Sequence, residues 1–206
     1  MKKMLLTSAG FQNPEIADEF LKMANKPISE IKIIFVPTAS RTEEELEHVE
    51  ESKKELNDIG INHKNIKLLD LNRKVHYSEV ADFDVIYVCG GNTFYILQRI
   101  RETGFDKIIK QFVENGGIYV GVSAGSIIIG PNIEIAGWGP TGDENDVELK
   151  DLNGLNIVDI AVFPHYELHL KEEVEEFKKK VNYTITVLNN NQALLILNDE
   201  IKIIGK

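Results

Sequence analysis

The chain has 206 residues, of which 43% are hydrophobic and 27% are charged, and its formal net charge is −10 at pH 7. This length and apolar fraction suit a single domain, residues 1–206, with a normal hydrophobic core. The negative charge argues against nucleic acid or an anionic membrane surface as a partner, because both would repel an acidic protein at long range.

The first apolar run of the chain, residues 4–6, stops at Thr7, so it is too short for a signal peptide or a membrane span. The one cysteine, Cys89, excludes an internal disulfide and suits a reducing compartment. The sequence therefore predicts a cytoplasmic protein.

Apolar runs typical of strands alternate with helical patterns along the chain. Strands are predicted at residues 4–7, 32–36, 66–69, 85–89, 118–122, 157–163, 185–187, 194–197 and 201–204, and helices at 14–24, 42–59, 93–102 and 105–114. Thr42 and Glu45 have the spacing of a capping box at the start of the second helix. The alternation predicts an α/β fold, with a mostly parallel sheet covered by helices on both faces and sites at the carboxyl ends of its strands. The last three strands are expected to add antiparallel edge pieces.

Residues 121–125 read Gly-Val-Ser-Ala-Gly, where a predicted strand gives way to a helix start. This is the setting of a nucleophile elbow, in which glycines two residues before and after the serine avoid a collision in a sharp turn. Such a turn would expose the Ser123 hydroxyl and direct the N–H of Ala124 toward the same point. A tight packing turn of small residues is the alternative.

A second glycine-rich segment, Gly90-Gly91-Asn92, follows the strand at 85–89 and precedes a helix. If this strand neighbours the Ser123 strand, the Gly91 N–H would be a second oxyanion-hole donor beside Ala124. A tight turn capped by Asn92 remains the other interpretation.

A serine nucleophile needs a base, and His165 is the best placed of five histidines because it follows an apolar strand that Pro164 ends. His48, His63 and His76 lie in charged or polar segments typical of the surface. His169 is four residues further on and is expected to be a surface residue as well.

A carboxylate should orient the histidine, and the turn-rich segment 138–146 between Ser123 and His165 contains Asp143, Glu144 and Asp146. The order serine, acid, histidine is that of the sheet hydrolases with a Gly-x-Ser-x-Gly motif. The residues alone leave open which acid acts, or whether the segment is only an acidic surface turn.

Three motifs, at residues 90–94, 119–125 and 164–166, together resemble the peptidase E family, the aspartyl dipeptidases related to cyanophycinases. The resemblance implies a serine peptidase with a flavodoxin-like three-layer αβα fold, similar to that of class I glutamine amidotransferases. By the same resemblance, Ser123 is the nucleophile, His165 the base and Asp143 the orienting acid. Gly91 and Ala124 would form the oxyanion hole, and Asn92 and Tyr166 would bind substrate.

The chain departs from this family at two places. No arginine follows Arg101, although the aspartyl-specific members use one after the histidine to hold the substrate carboxylate, so no strong aspartyl preference is predicted. Related enzymes also have a glutamate near a late turn where this chain reads Asn-Asn-Asn-Gln at 189–192, so no acid is expected to act from that turn.

The sequence thus predicts a serine peptidase that acts on small peptides, with no metal and no organic cofactor, because no ligand cluster has a suitable spacing. A different acyl hydrolase with the same three residues is the nearest alternative. A ligand-binding protein that has lost turnover is another. A homodimer is left open.

Overall fold

The structure is a computed structural model, and it describes residues 1–139 and 142–205. The strands are β1 (Lys3–Thr7), β2 (Ile33–Val36), β3 (Ile66–Leu68), β4 (Val85–Val88), β5 (Ile118–Val122), β6 (Ile160–Phe163), β7 (Thr184–Val187), β8 (Ala193–Leu197) and β9 (Glu200–Ile204). The α-helices are α1 (Pro14–Ala24), α2 (Glu43–Asp58), α3 (Thr93–Thr103), α4 (Phe105–Glu114), α5 (Ala124–Ile127) and α6 (Lys171–Lys178). Each apolar run that was predicted as a strand overlaps one of these strands.

The central sheet has seven strands in the order β3-β2-β4-β5-β1-β8-β9. Strands β1 to β5 pair in parallel, whereas β8 pairs antiparallel with β1, and β9 pairs antiparallel with β8. Because β8 runs in the opposite direction, its first residue, Ala193, lies opposite Thr7, the last residue of β1. The start of β8 therefore lies at the edge where the parallel strands end.

Alternate residues of the strands point to opposite faces of the sheet and form two buried apolar clusters. Leu5 and Tyr87 belong to the cluster that includes the inner faces of α1 and α2. Leu6 and Val88 belong to the cluster that includes α3, α4 and α5. Helices thus cover both faces, which confirms the predicted three-layer α/β fold with a mostly parallel sheet.

The tail differs from its prediction at one strand. β8 and β9 are antiparallel edge pieces as expected, but β7 pairs in parallel with β6 in a separate two-stranded sheet. The segment between β6 and β7 contains α6, and a crossover of this length allows two strands to pair in parallel. The expectation of three antiparallel tail strands was therefore wrong for β7.

The predicted capping box at the start of α2 is confirmed. The Thr42 side chain accepts a hydrogen bond from the Glu45 N–H, and the Glu45 carboxylate accepts one from the Thr42 N–H at 2.8 Å. Within the described residues, no helix combines the length and the apolar composition that crossing a bilayer requires.

Candidate active site

Polar segments from four neighbouring parts of the sheet meet at the carboxyl edge of the parallel strands. Ser8 follows β1, Gly90 and Gly91 follow β4, and Ser123 follows β5. Asn190 lies in the turn that enters β8 and reaches the same edge because β8 is antiparallel. The order of the strands, rather than proximity in the chain, assembles this site.

Ser123 occupies a strained turn between β5 and α5. Its backbone angles are φ 48° and ψ −107°, a conformation that L-residues rarely adopt. A Cβ on Gly121 would lie 2.4 Å from the Gly125 carbonyl oxygen, and a Cβ on Gly125 would lie 2.3 Å from the Val88 carbonyl oxygen. Larger residues at these two positions would therefore collide with backbone atoms.

Two further side chains hold this turn in place. Ser126 Oγ lies 2.8 Å from the carbonyl oxygens of both Thr7 and Gly121, and the Tyr119 hydroxyl donates a 2.7 Å hydrogen bond to the Gly125 carbonyl. Both side chains are fully buried. Sequence reasoning did not identify them, since a buried serine or tyrosine carries no local signal of its partner.

The structure brings Ser123 and His165 together, as predicted. Ser123 Oγ and His165 Nε2 are 2.8 Å apart. His165 follows β6 and Pro164 and has a positive φ of 55°, and its N–H donates a 2.8 Å hydrogen bond to Ser8 Oγ. This backbone contact fixes the histidine at the edge of the sheet, next to the serine.

The other ring nitrogen of His165 faces Asn190 instead of a carboxylate. His165 Nδ1 lies 2.7 Å from Asn190 Oδ1, and Ser8 Oγ donates a 3.2 Å hydrogen bond to the same oxygen. An amide oxygen can only accept, so Nδ1 carries a proton, and in the neutral imidazole Nε2 then has its lone pair toward Ser123. The turn at 189–192, which was set aside for lack of an acid, thus supplies the hydrogen-bond acceptor.

The structure does not place Asp143 in its predicted position beside His165 Nδ1. Its carboxylate accepts a 2.8 Å hydrogen bond from the Thr93 N–H at the start of α3. Burial, the largest cause, raises the pKa of the Asp143 carboxyl, whereas the hydrogen bonds from Thr93 lower it. The loop that carries Asp143 passes the N-terminus of α3, and an unpaired helix N–H there attracts the carboxylate.

The two alternative acids do not contact the histidine either. Asp146 forms a 2.9 Å ion pair with Arg41. Glu144 is exposed, and its carbonyl oxygen accepts a hydrogen bond from Asn92 Nδ2. In the described part of the chain, His165 Nδ1 has its hydrogen bond with Asn190 alone.

The predicted oxyanion-hole donors belong to segments on either side of Ser123. A Cβ on Gly90 would lie 3.4 Å from Ser123 Cβ, so the turn after β4 passes directly beside the serine. Gly91 has a φ of 119°, and a Cβ there would lie 2.4 Å from the Ala39 carbonyl oxygen, so only glycine fits. Neither the Gly91 N–H nor the Ala124 N–H donates a hydrogen bond to another described residue.

The two residues expected to bind substrate have structural contacts instead. Asn92 is 8% exposed; its Oδ1 accepts a hydrogen bond from the Tyr95 N–H, and its Nδ2 donates one to Glu144. Tyr166 is partly buried against the apolar cluster around α3 to α5 and does not line either cavity next to Ser123. Asn92 is therefore a helix cap, and Tyr166 is a packing residue.

His169 lies at the surface, as predicted, and its Nδ1 is 3.2 Å from Glu167.

Two cavities adjoin the Ser123–His165 pair. The larger one, about 470 Å³, lies between the strand ends and one face of α2, and its lining includes Asn190 and Glu55. The smaller one, about 70 Å³, is mostly apolar, and its lining includes Trp138 and Phe163. Both cavities also reach Asp143. A bound molecule could therefore extend to either side of the serine hydroxyl.

Comparison with known proteins identifies the family of this chain. The model of peptidase family S51 matches residues 4–204. An uncharacterized peptidase of Pasteurella multocida is 33% identical over 99% of this chain and 97% of its own length. Peptidase E of a Nostoc species is 30% identical over 80% of this chain and 66% of its own length. The chain belongs to peptidase family S51, and it is a peptidase.

One solved structure agrees with this assignment, and a second shares the fold. A candidate peptidase E protein from Listeria monocytogenes has a TM-score of 0.82 and 32% identity, and the match covers 100% of this chain and 99% of that one. A peptidase from an acI-B1 actinobacterium shares the fold, with a TM-score of 0.73 at 18% identity over 100% of this chain and 88% of its own. The resemblance to peptidase E that the three motifs indicated is confirmed.

Proposed function

We propose that this chain is a serine peptidase that hydrolyses small peptides, with Ser123 as the nucleophile and His165 as the general base. The single observation that carries the proposal is the 2.8 Å contact between Ser123 Oγ and His165 Nε2 at the edge of the sheet. Membership of peptidase family S51 supports the reaction class. The contact between a serine hydroxyl and a histidine nitrogen supports the roles of Ser123 as nucleophile and His165 as base.

The tautomer of His165 supports its role as a base. With the Nδ1 proton directed at Asn190, the Nε2 lone pair is free to take the proton of the Ser123 hydroxyl. Asn190 is a positioning residue in this proposal, since it acts through the imidazole. An uncharged amide fixes the ring and its tautomer, but it offers the imidazolium less stabilisation than a carboxylate would.

The strained turn supports Ser123 as the nucleophile of an elbow. Its positive φ, which the glycines at 121 and 125 permit, lifts the hydroxyl away from the sheet. Cys89 also lines the larger cavity, but it is 2% exposed, and burial raises the pKa of its thiol. A buried thiol with a raised pKa is a poor nucleophile, so Cys89 is not the attacking group.

The proposed reaction proceeds through an acyl-enzyme. Ser123 Oγ forms a bond to the scissile carbonyl carbon while its proton moves to His165 Nε2, and the N–H groups of Gly91 and Ala124 donate to the oxyanion. The carbon–nitrogen bond then breaks as His165 returns the proton to the leaving amine. In the second half of the reaction, His165 takes a proton from a water molecule while the water oxygen attacks the acyl carbonyl carbon. The ester bond to Ser123 then breaks, and His165 returns the proton to Ser123 Oγ.

The proposal is tested with Ser123→Ala and a fluorophosphonate probe. We expect wild-type protein to be labelled at Ser123 and to hydrolyse short peptides. The variant should lose about 10⁴-fold or more in kcat/KM, because the nucleophile and its base act as a unit. Ser29→Ala, at an exposed turn, serves as the matched control and should keep full activity. Undiminished hydrolysis by a folded Ser123→Ala variant would refute the proposal.

A further inference from the structure

We infer that Ser8, the residue directly after β1, is a positioning residue that fixes the place of the His165 ring and the ring nitrogen that carries its proton. This inference rests on the proposed peptidase function and adds a residue outside the Ser123–His165 pair. The Ser8 hydroxyl acts through two neighbours, the His165 backbone and the Asn190 side chain.

The end of β1 contacts the backbones of both the proposed nucleophile and the proposed base. The Thr7 carbonyl oxygen accepts a 3.0 Å hydrogen bond from the Ser123 N–H. The next residue, Ser8, accepts a 2.8 Å hydrogen bond on its Oγ from the His165 N–H. Because both contacts come from one strand end, they help to set the distance between Ser123 and His165.

The His165 backbone needs such a contact because its conformation is strained. Its φ is 55°, in the left-handed region that residues other than glycine seldom adopt. Strained residues keep such angles only where the surrounding structure holds them. Ser8 Oγ holds the His165 N–H, and the following N–H, that of Tyr166, donates to the Leu188 carbonyl oxygen at 3.0 Å. Loss of the Ser8 hydroxyl would remove the first of these two contacts.

The Ser8 hydroxyl also favours one orientation of the Asn190 amide. A backbone N–H can only donate, so Ser8 Oγ accepts from His165, and its own O–H proton must find another acceptor. Ser8 is fully buried, and among the described residues its hydroxyl donates to Asn190 Oδ1 alone, at 3.2 Å. A buried hydroxyl without an acceptor costs free energy, so this contact stabilises the orientation with Oδ1 toward Ser8 and His165.

The opposite orientation of the amide would reverse the protonation of the ring. Nδ2 of Asn190 would then face His165 Nδ1, and because an amide NH₂ group only donates, Nδ1 would have to accept. In the neutral ring the proton would lie on Nε2, which faces Ser123 Oγ, and no lone pair would be left there to act as a base. Ser8 therefore stabilises the tautomer that the proposed mechanism requires.

A backbone contact makes Ser8→Ala a clean deletion of the hydroxyl. The Ser8 N–H donates a 3.1 Å hydrogen bond to the Gln192 carbonyl oxygen, in the turn that carries Asn190. This bond does not involve the side chain, so the turn should stay beside β1 in the variant. Only the contacts of the hydroxyl with His165 and Asn190 are lost.

The inference is tested by NMR of the ring nitrogens of His165 at a pH where the ring is neutral. We expect the wild-type ring to carry its proton on Nδ1. In Ser8→Ala we expect a second set of signals from rings with the proton on Nε2, because the amide is then free to turn over. A wild-type ring that carries its proton on Nε2, or a Ser8→Ala spectrum identical to that of the wild type, would overturn the inference.

Steady-state kinetics gives a second test. Ser8→Ala should lower kcat by about tenfold and leave KM within about twofold of the wild type, because its hydroxyl orients the base and is bonded to protein groups on both sides. Unchanged kcat in this variant would contradict the positioning role.

Thr103→Val is the matched control. The Thr103 hydroxyl is also buried, and it donates to the carbonyl oxygens of Arg99 and Ile100 at the far end of α3. Its removal should lower the unfolding midpoint but leave kcat and the His165 signals unchanged. Equal losses of kcat in Thr103→Val and Ser8→Ala would mean that a buried hydroxyl at either place contributes only to folding.

A double variant tests whether Ser8 acts through the amide. In the Asn190→Ala background, removal of the Ser8 hydroxyl should lower kcat by less than about threefold, because residues that act through one another are not additive. The full tenfold loss in that background would overturn the role of Ser8 in orienting Asn190.

The proposed function has a separate readout, because the NMR measurement needs no turnover. If Ser8→Ala moves the proton of His165 but the wild type shows no Ser123-dependent hydrolysis, the positioning role stands and the proposed function is wrong. If hydrolysis depends on Ser123 but Ser8→Ala has the wild-type spectrum and kcat, the proposed function stands and the positioning role is wrong.

Discussion

Ser123 and Asn190 contact the same imidazole on its two nitrogens, but different stretches of the chain determine their positions. Ser123 is positioned by five consecutive residues whose glycines permit one sharp turn. Asn190 is positioned by the antiparallel pairing of β8 with β1, which joins the two ends of the chain. The proposed nucleophile is therefore visible in local sequence, whereas the group that contacts the far side of its proposed base depends on the topology of the sheet.

The largest expected effect comes from breaking the local turn. Gly125→Ala would add a Cβ 2.3 Å from the Val88 carbonyl oxygen, so α5 or β4 would have to move. We expect a loss of at least about 2 kcal/mol in the free energy of unfolding, or failure to fold, because neither backbone can yield without breaking sheet contacts. Urea unfolding measures the stability, and fluorophosphonate labelling reports whether Ser123 is still reactive.

Gly116→Ala is the control for that substitution, since a Cβ there meets no atom within 4 Å. Its positive φ of 88° should cost about 1–2 kcal/mol in backbone strain, without any collision. Equal losses for the two variants would mean that the turn relaxes around the extra methyl group and that glycine at 125 is not required by the close approach.

A smaller effect is expected at the orienting position. Asn190→Ala removes the acceptor for His165 Nδ1 and should lower kcat/KM by about 100-fold, because the imidazole is then free to adopt the wrong tautomer. Asp143→Asn keeps an acceptor for the Thr93 N–H and should lower kcat/KM by less than about tenfold. The effect is small because the substitution removes only a negative charge at the N-terminus of α3. Steady-state kinetics with one peptide compares the two.

The ranking of these two variants decides between the sequence prediction and the structure. If Asp143→Asn costs more than Asn190→Ala, while both variants keep the wild-type unfolding midpoint, Asp143 is the orienting residue after all. The static hydrogen bond to Asn190 would then not be the one used in turnover.

The smallest effect concerns the free energy of unfolding of a variant at Glu55, which lines the larger cavity. Burial holds the pKa of Glu55 above its ordinary value of 4.5, so the folded state disfavours the ionised form. The stability that the protonated group contributes is present at low pH and is lost as the pH rises through the folded pKa. Glu55→Gln should therefore be more stable than the wild type at pH 7, by under about 1 kcal/mol because the group is half-exposed and screened.

That gain should disappear below about pH 4, where Glu55 is protonated in both the folded and the unfolded protein. Thermal unfolding at the two pH values measures the difference. Glu50→Gln, on the exposed side of the same helix, should show no such gain at pH 7. The quantity to compare is the stability of Glu55→Gln minus that of the wild type. If this difference is smaller at pH 7 than at pH 4, the pKa of Glu55 is not raised by folding.

Much of the fold and the contact between Ser123 and His165 could be predicted from sequence because the signals are local. The strand runs, the capping box at Thr42 and Glu45, and the glycines around Ser123 each depend on residues a few positions apart. His165 was identified because it follows a strand end. The pairing of β7 with β6 was missed, since apolar periodicity identifies a strand but not its neighbour.

The amino-acid sequence by itself determined the α/β alternation, the serine turn and the histidine, because backbone sterics and side-chain periodicity act over a few residues. Only the tertiary structure decided which group faces His165 Nδ1 and which side chains line the cavity. β8 returns antiparallel beside β1 and brings Asn190 to the histidine, while the helix N–H at Thr93 holds Asp143. Contacts between segments so distant in sequence depend on the order of strands in the sheet, which no local pattern records.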